Sequence, residues 1–323
     1  MLRYILKRFL WLIPVILGVS FLIFVLMDMA PGDMVDAIAA SDMSEEDIAA
    51  LKSYYNLDRS VFYRYGLYLK NLLHGSLGDS IQYQRPVMEV FLQLLPATLK
   101  LAFWAMVVTI VLAIPLGIFS ALYADTIVDN ISAVLALLGL SMPNFWLGLM
   151  LVVFFSLKLG WFPTTGDLDG WRSLVLPAIT LGTGHVASLA RVTRSATLDV
   201  LKMDYLNTAR SKGLPERVVI LKHAFRNALI PIVTVIGTQL AGMMGGAVLT
   251  ETVFGWPGVG RAVVYALNQR DTALATGFVV METILLSLVL LIVDLLYTLI
   301  DPRIKAQFKG NPLFKRNARR QAS

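Results

Sequence analysis

Two carboxylates stand inside an otherwise apolar run. Between Thr272 and Ile300 the chain carries Glu282 and Asp294 among 17 Leu, Ile, Val and Phe residues. On a membrane-insertion scale those apolar residues contribute roughly −5 to −10 kcal/mol, while two central acids cost roughly 5–7. Facing lipid, the acids would nearly cancel the gain, so they should face protein or water. Such a carboxylate can carry a proton or an ion, or pair with a buried polar group. Glu282 is the deeper of the two; Asp294 lies near the end of the run, close to Asp301.

Other residue types that carry chemistry are sparse. There is no cysteine, which excludes disulfides, thiolate metal sites and a cysteine nucleophile. His74, His185 and His223 are scattered without ligand spacing, so no metal site is expected. Neither H-E-x-x-H nor G-x-S-x-G occurs, and no catalytic residue is expected. The phosphate-cradling G-x-x-x-x-G-K-[ST] is also missing, so the chain has no P-loop for nucleotide phosphates, and no cofactor of its own is expected.

The elements that must position these groups are long and apolar. The chain is 57% hydrophobic and 15% charged, against about 25% charged in soluble domains. Six runs are long enough to span a bilayer: Phe9–Met27, Leu101–Ala124, Asn130–Leu157, Ser173–Ala190, Asn227–Thr250 and Thr272–Ile300. The fold class expected is all-α, a polytopic membrane protein with six transmembrane helices. The first run follows Arg3, Lys7 and Arg8 but exceeds a cleavable signal in length and has no A-x-A site after it, so it reads as a retained anchor.

Lysine and arginine set the orientation. The N-terminus carries three, Arg191–Arg226 eight and Arg303–Arg320 seven, together 18 of 28. With six spans these regions share one side, predicted to be cytoplasmic with both termini. The Asp125–Asp129 loop, on that same side, has two acids and no basic residue, and acids count little in this rule, so it bears on the orientation neither way. The expected organisation is a cytoplasmic N-terminus over 1–8, a first helix over 9–29, an external helical region over 30–95, a transmembrane core over 96–303 with a cytoplasmic loop at 191–226, and a cytoplasmic tail over 304–323. In the external region Ser44 can cap a helix through "SEEDIAALKSYY", and Ser60 a second that ends at Gly75. Trp161, Trp171 and Trp256 fall near outer ends of spans, where indoles favour the interface. In the fifth run Gly237, Ala241 and Gly245 are spaced by four, as are Gly242 and Gly246, which allows close helix packing or leaves room beside a pathway.

The block Arg191–Arg226 interrupts the apolar runs with eight positive and three negative residues. A helix through "LDVLKMDYLNTARSK" would end at Gly213, with Leu214 as its apolar partner, and Pro215 and Glu216 would open another. Spacing places Val218, Leu221, Phe225 and Ala228 on one face of that second helix. By charge alone this is either a basic hairpin on lipid head groups or a rigid handle for another protein. Nucleic-acid binding fits poorly, because spans hold both ends at the bilayer.

"NTARSKG" at Asn207–Gly213 stands where the EAA loop of binding-protein-dependent ABC importers has its E-A-A-x-x-x-G core, matching at Ala209 and Gly213. The run "DYLNTARSKGLPERVVILKHAFRNALIP" resembles the peptide/nickel branch of these permeases more fully. So do "MAPGD" at Met29, "GDSI" at Gly78, "SMPNFW" at Ser141, "LTETVFGWPGVGR" at Leu249 and "DPRIK" at Asp301. The resemblance implies a multi-pass permease of the prokaryotic cytoplasmic membrane importing di- or oligopeptides. It implies as partners a second homologous permease, two ATP-binding-cassette ATPases and an external substrate-binding protein. It places ATPase coupling at Tyr205, Leu206, Ala209, Arg210 and Gly213, while the small-residue spacing of the fifth run and the deep acid of the sixth suggest Gly237, Ala241, Gly245 and Glu282 for the pathway. An ion-coupled secondary transporter using Glu282 and Asp294 is the alternative.

Overall fold

The computed structural model describes residues 2–30, 35 and 43–300. Parts of "MAPGD", all of "DPRIK" and the expected tail over 304–323 lie outside the described residues. Apart from one antiparallel pair of two-residue strands, the regular structure among the described residues is helical. Among the described residues five helices are long and apolar enough to cross a membrane, and a bent helix pair makes a sixth crossing if its two arms are counted together.

The first helix, α1 (Leu2–Met29), stands at the edge of the bundle against the last. At their shared end Arg8 pairs with Asp294. After the first span come α2 (Glu45–Tyr54) and α3 (Val61–Leu73). Ser44 caps α2, accepting from Asp47 N at 3.2 Å and donating to Asp47 Oδ2 at 2.7 Å. Ser60 caps α3 through Tyr63 N, and Gly75 follows it with φ +80°. α3 lies along α1: Tyr65 donates to the Leu17 carbonyl at 2.8 Å, Phe62 stacks on Phe21, and Arg64 pairs with Asp28.

A hairpin of β1 (Asp79–Ser80) and β2 (Arg85–Pro86) leads into α4 (Val87–Leu122). This helix starts well before the apolar run that announced it. Its partner is α7 (Trp171–Leu201), which runs in the same direction. The two approach at small residues. A Cβ on Gly182 would lie 2.6 Å from the Ala105 carbonyl, and one on Gly117 2.6 Å from the Ala190 carbonyl. Thr109 donates to the Gly182 carbonyl at 2.8 Å. Glycine lets backbones meet where lipid supplies no hydrophobic drive.

The expected third span is not one straight helix. It divides into α5 (Ile127–Ser141) and α6 (Asn144–Leu151), the latter continuing as a π-helical segment through Lys158. The axes differ by 92°. Pro143 is the cause: it has no N–H for the ladder, and its ring forces Met142 out of the helical region to φ −83°, ψ 125°.

After α7 come α8 (Asp204–Ser211), the long α9 (Glu216–Val253), α10 (Val259–Asn268) and α11 (Thr272–Ile300). Three apolar clusters form the core. One lies at the α8 end, joining α7, α8 and α9; one is central, between α4, α7 and α9; one is at the α10 end, where α4, α10 and α11 meet the hairpin. Trp256 is not an interfacial indole but belongs to the central cluster. It is 1% exposed and donates to the Ala97 carbonyl at 2.9 Å, because the chain turns back into the bundle there.

Candidate functional site

The basic block forms a stitched helical hairpin. The helix does not run on from α7 into α8. It breaks at Met203, which is extended at φ −82°, ψ 137°. Asp204 then opens α8 at the positive end of its dipole. Gly213 takes φ +77°, a conformation that costs an L-residue roughly 1–2 kcal/mol. Its N–H bonds the Arg210 carbonyl at 2.9 Å, which closes the turn.

Two side-chain links fix α8 against α9. At the turn, Arg210 Nη2 donates to Glu216 Oε1 at 2.9 Å and Nη1 donates to Asn207 Oδ1 at 3.2 Å. The Glu216 hydrogen bond raises the Arg210 guanidinium further above its ordinary value. At the far end, Asn227 Nδ2 donates to Tyr205 Oη at 2.6 Å, and Tyr205 donates to the His223 carbonyl at 3.2 Å. Exposed ion pairs add little stability, so these links serve chiefly to set geometry.

Leu206 and Ala209, expected to touch a partner, turn inward. They are 0% and 8% exposed and pack with Val219, Ala224, Ala228 and Ile232. Tyr205, Asn207, Thr208, Arg210 and Ser211 stay exposed. Spacing by three puts Leu206 and Ala209 on the single face that a short helix must bury to hold its place. The apolar face of α9 also differs from that predicted. Val219, Ala224 and Ala228 are buried, whereas Leu221 is 62% exposed. A π-helical stretch at Val219–Ala224 inserts an extra residue and rotates the later positions out of the 3–4 register.

A further anchor lies behind the hairpin. Arg194 of α7 donates through Nε and Nη2 to the two oxygens of Asp129, at 2.9 and 2.5 Å. Ser120 and the Asp125 N–H complete the carboxylate's shell. This holds the start of α5 against α4 and α7, beside a cavity of about 410 Å³. Only tertiary proximity reveals the pair, since its members are 65 positions apart.

The suggested pathway residues separate. Gly237 faces α11, where a Cβ would lie 2.5 Å from Val293, and Ala241 is buried. Gly245 is exposed, as are Gly242 and Gly246, and a Cβ on any of them would meet nothing within 4 Å. Glu282 is half-buried on α11, near Gly245. Asp294 is the partner of Arg8.

At the opposite end, two buried acids missed in the sequence order the chain. Glu251, 0% exposed, accepts from Thr98 Oγ1 at 2.6 Å and from Arg261 N at 2.9 Å. It thereby caps α10, whose Val259 N–H is bonded to Thr98 Oγ1. A Cβ on Gly258 would sit 2.1 Å from its Oε1, and one on Gly260 2.7 Å from the Val248 backbone, which explains these two glycines of "FGWPGVGR". Asp271, also 0% exposed, accepts from Ser80 Oγ at 2.6 Å, Ile81 N at 3.0 Å and Leu274 N at 3.0 Å. It caps α11 and ties down the hairpin of "GDSI". The available signal was an acidic residue just ahead of a helix start.

Sequence and fold comparisons agree with this geometry. Residues 113–306 match the family described as binding-protein-dependent transport system inner membrane component, and residues 1–102 match the N-terminal part of such membrane components. The dipeptide transport system permease protein DppB of Alkalihalophilus pseudofirmus is 40% identical, over 94% of this chain and 100% of that protein. The glutathione transport system permease protein GsiC of an Escherichia coli O6:H1 strain is 38% identical, over 94% and 99%. In fold, the chain is similar to the inward-facing MetNI methionine ABC transporter, with TM-score 0.56, 18% identity, 66% of this chain and 97% of that chain. Nothing in these matches supports ion-coupled transport through Glu282 and Asp294. With family matches over both halves of a multi-pass helical chain, the protein belongs to the inner membrane permease components of binding-protein-dependent ABC transport systems.

Proposed function

We propose that this chain forms half of the translocation pathway of an ATP-driven importer of di- or oligopeptides. The observation that carries the reading is the α8–α9 hairpin. It is bolted to its own bundle by Leu206 and Ala209, stitched by Arg210–Glu216 and Tyr205–Asn227, and leaves a polar face free. Such an element transmits a push without bending. The peptide cargo is supported by the names of the relatives, a dipeptide and a glutathione permease.

In this reading two ATPase subunits lie below, each gripping one permease through an α8-type helix. A second homologous permease completes the pathway, and an external binding protein delivers cargo. Both termini are cytoplasmic, in keeping with the basic residues near them. ATP and Mg bind to the ATPases, and this chain catalyses no covalent step. Closure of the ATPase pair tilts the two bundles between outward- and inward-open states. Contact with the ATPase falls to Tyr205 and Arg210 with their exposed neighbours, while Leu206, Ala209 and Gly213 hold the shape.

Gly213→Val tests the coupling role in proteoliposomes holding the full complex and a labelled dipeptide. The expected result is ATP hydrolysis with dipeptide uptake lowered about tenfold, the size of a 1–2 kcal/mol misfit at a left-handed position. Wild-type uptake by this variant would remove the hairpin from the mechanism.

A further inference from the structure

Between α4, α9, α10 and α11 lies a second cavity, of about 150 Å³. Its walls are largely apolar, with Phe91 and Leu95 from α4, Met244 from α9 and Val259 from α10. Glu282 enters from α11 with Thr283, and Thr98 faces it from α4. Gly245 forms part of the wall. Because Gly245 is exposed and has open space where a side chain would stand, the cavity meets the glycine face of α9 there.

Glu282 Oε1 is buried and has no hydrogen-bond partner. Other buried atoms share that state among the described residues, but the other oxygens are hydroxyls and one amide oxygen. A carboxylate in apolar surroundings is far more costly to leave unpaired. Among the described residues no lysine or arginine lines the cavity. The nearby Lys100 lies 5.8 Å over the Trp256 ring instead. Glu251 cannot help, since it is itself an acid and is occupied by Thr98 and the α10 amides. Thr283 donates to the Val279 carbonyl at 2.7 Å, so its oxygen remains an acceptor.

The cavity therefore offers one carboxylate and hydroxyl lone pairs within an apolar wall, and lacks a donor. One carboxylate and two hydroxyls are too few oxygens for a calcium ion, which takes 6–8. A primary ammonium, with three donors on a small head, matches the lining. We propose that Glu282 receives the cationic amino group of the cargo as it passes the glycine face of α9. This rests on the peptide reading, which supplies a cargo with a free amino terminus.

The test uses the complete complex in nanodiscs, with trialanine and N-acetyl-trialanine as probes. Dicyclohexylcarbodiimide, which attacks carboxyl groups in apolar surroundings, should modify Glu282, as read by mass spectrometry. Millimolar trialanine should slow that modification at least about tenfold, the low end for a single hydrogen bond to a charged group, and the acetylated peptide should not. In proteoliposomes Glu282→Gln should lower trialanine uptake about tenfold with ATP hydrolysis retained, and Glu282→Asp should restore most of it. An unmodified Glu282, equal protection by both peptides, or full uptake by Glu282→Gln overturns the proposal. If the wild-type complex takes up no trialanine, the peptide reading falls, while the labelling result still decides the ammonium site.

Discussion

Glu251 and Glu282 sit on adjacent helices, the first bonded to Thr98 and the second sharing a cavity with it, yet their surroundings are opposite. Glu251 is wholly buried, with the Thr98 hydroxyl and α10 backbone amides directed at it. Glu282 is half-buried in an apolar cavity and has an orphaned oxygen. Hydrogen bonds to a charged group contribute about 1.5–3 kcal/mol each, whereas an unmet buried polar group costs about 1–3 kcal/mol or more. The first acid is part of the fold's framework. The second is a cost that the fold bears, and such costs gather at sites of use.

Several substitutions would break or sharpen that contrast. The largest effect is expected at the Glu251 cap. Glu251→Ala strips Thr98 and the Arg261 amide of their acceptor and should cost about 3 kcal/mol or more, read as a lower unfolding midpoint of the purified protein. Gly258→Ala should be comparably damaging alone, since its new carbon would lie 2.1 Å from the carboxylate. Combined with Glu251→Ala it should cost less than the sum. Additive losses would show that the carboxylate and the glycine are not one device.

Asp271→Ala should rank second, at about 2 kcal/mol, through loss of the α11 cap and of the Ser80 and Ile81 bonds. Faster amide exchange over residues 80–82 would report release of the hairpin. Unchanged exchange there would mean that the hairpin is held by other contacts.

The smallest effect belongs to Glu282→Gln. Replacing an unpaired buried carboxyl should leave the unfolding midpoint level with wild type or raise it by the equivalent of about 1 kcal/mol. A loss as large as that of Glu251→Ala would erase the distinction between the two acids.

Much of the scaffold was legible in the chain. The lengths of the apolar runs located the spans, because hydrocarbon thickness sets a minimum helix length. Ser44, Ser60 and Gly213 marked helix ends, because capping is local chemistry between near neighbours. The bend at Pro143 was also present in the sequence, but the long apolar run around it concealed the break.

The amino-acid sequence by itself determined a helical membrane protein, its approximate spans, the turn at Gly213 and the family pattern. Tertiary structure alone decided which face of α8 is buried, how the π stretch turns α9, and which acids are satisfied. The physical reason is range. Hydropathy and capping act over a few residues, whereas the partners of Asp129, Glu251 and Asp271 are brought from 65, 153 and 191 positions away by helix packing.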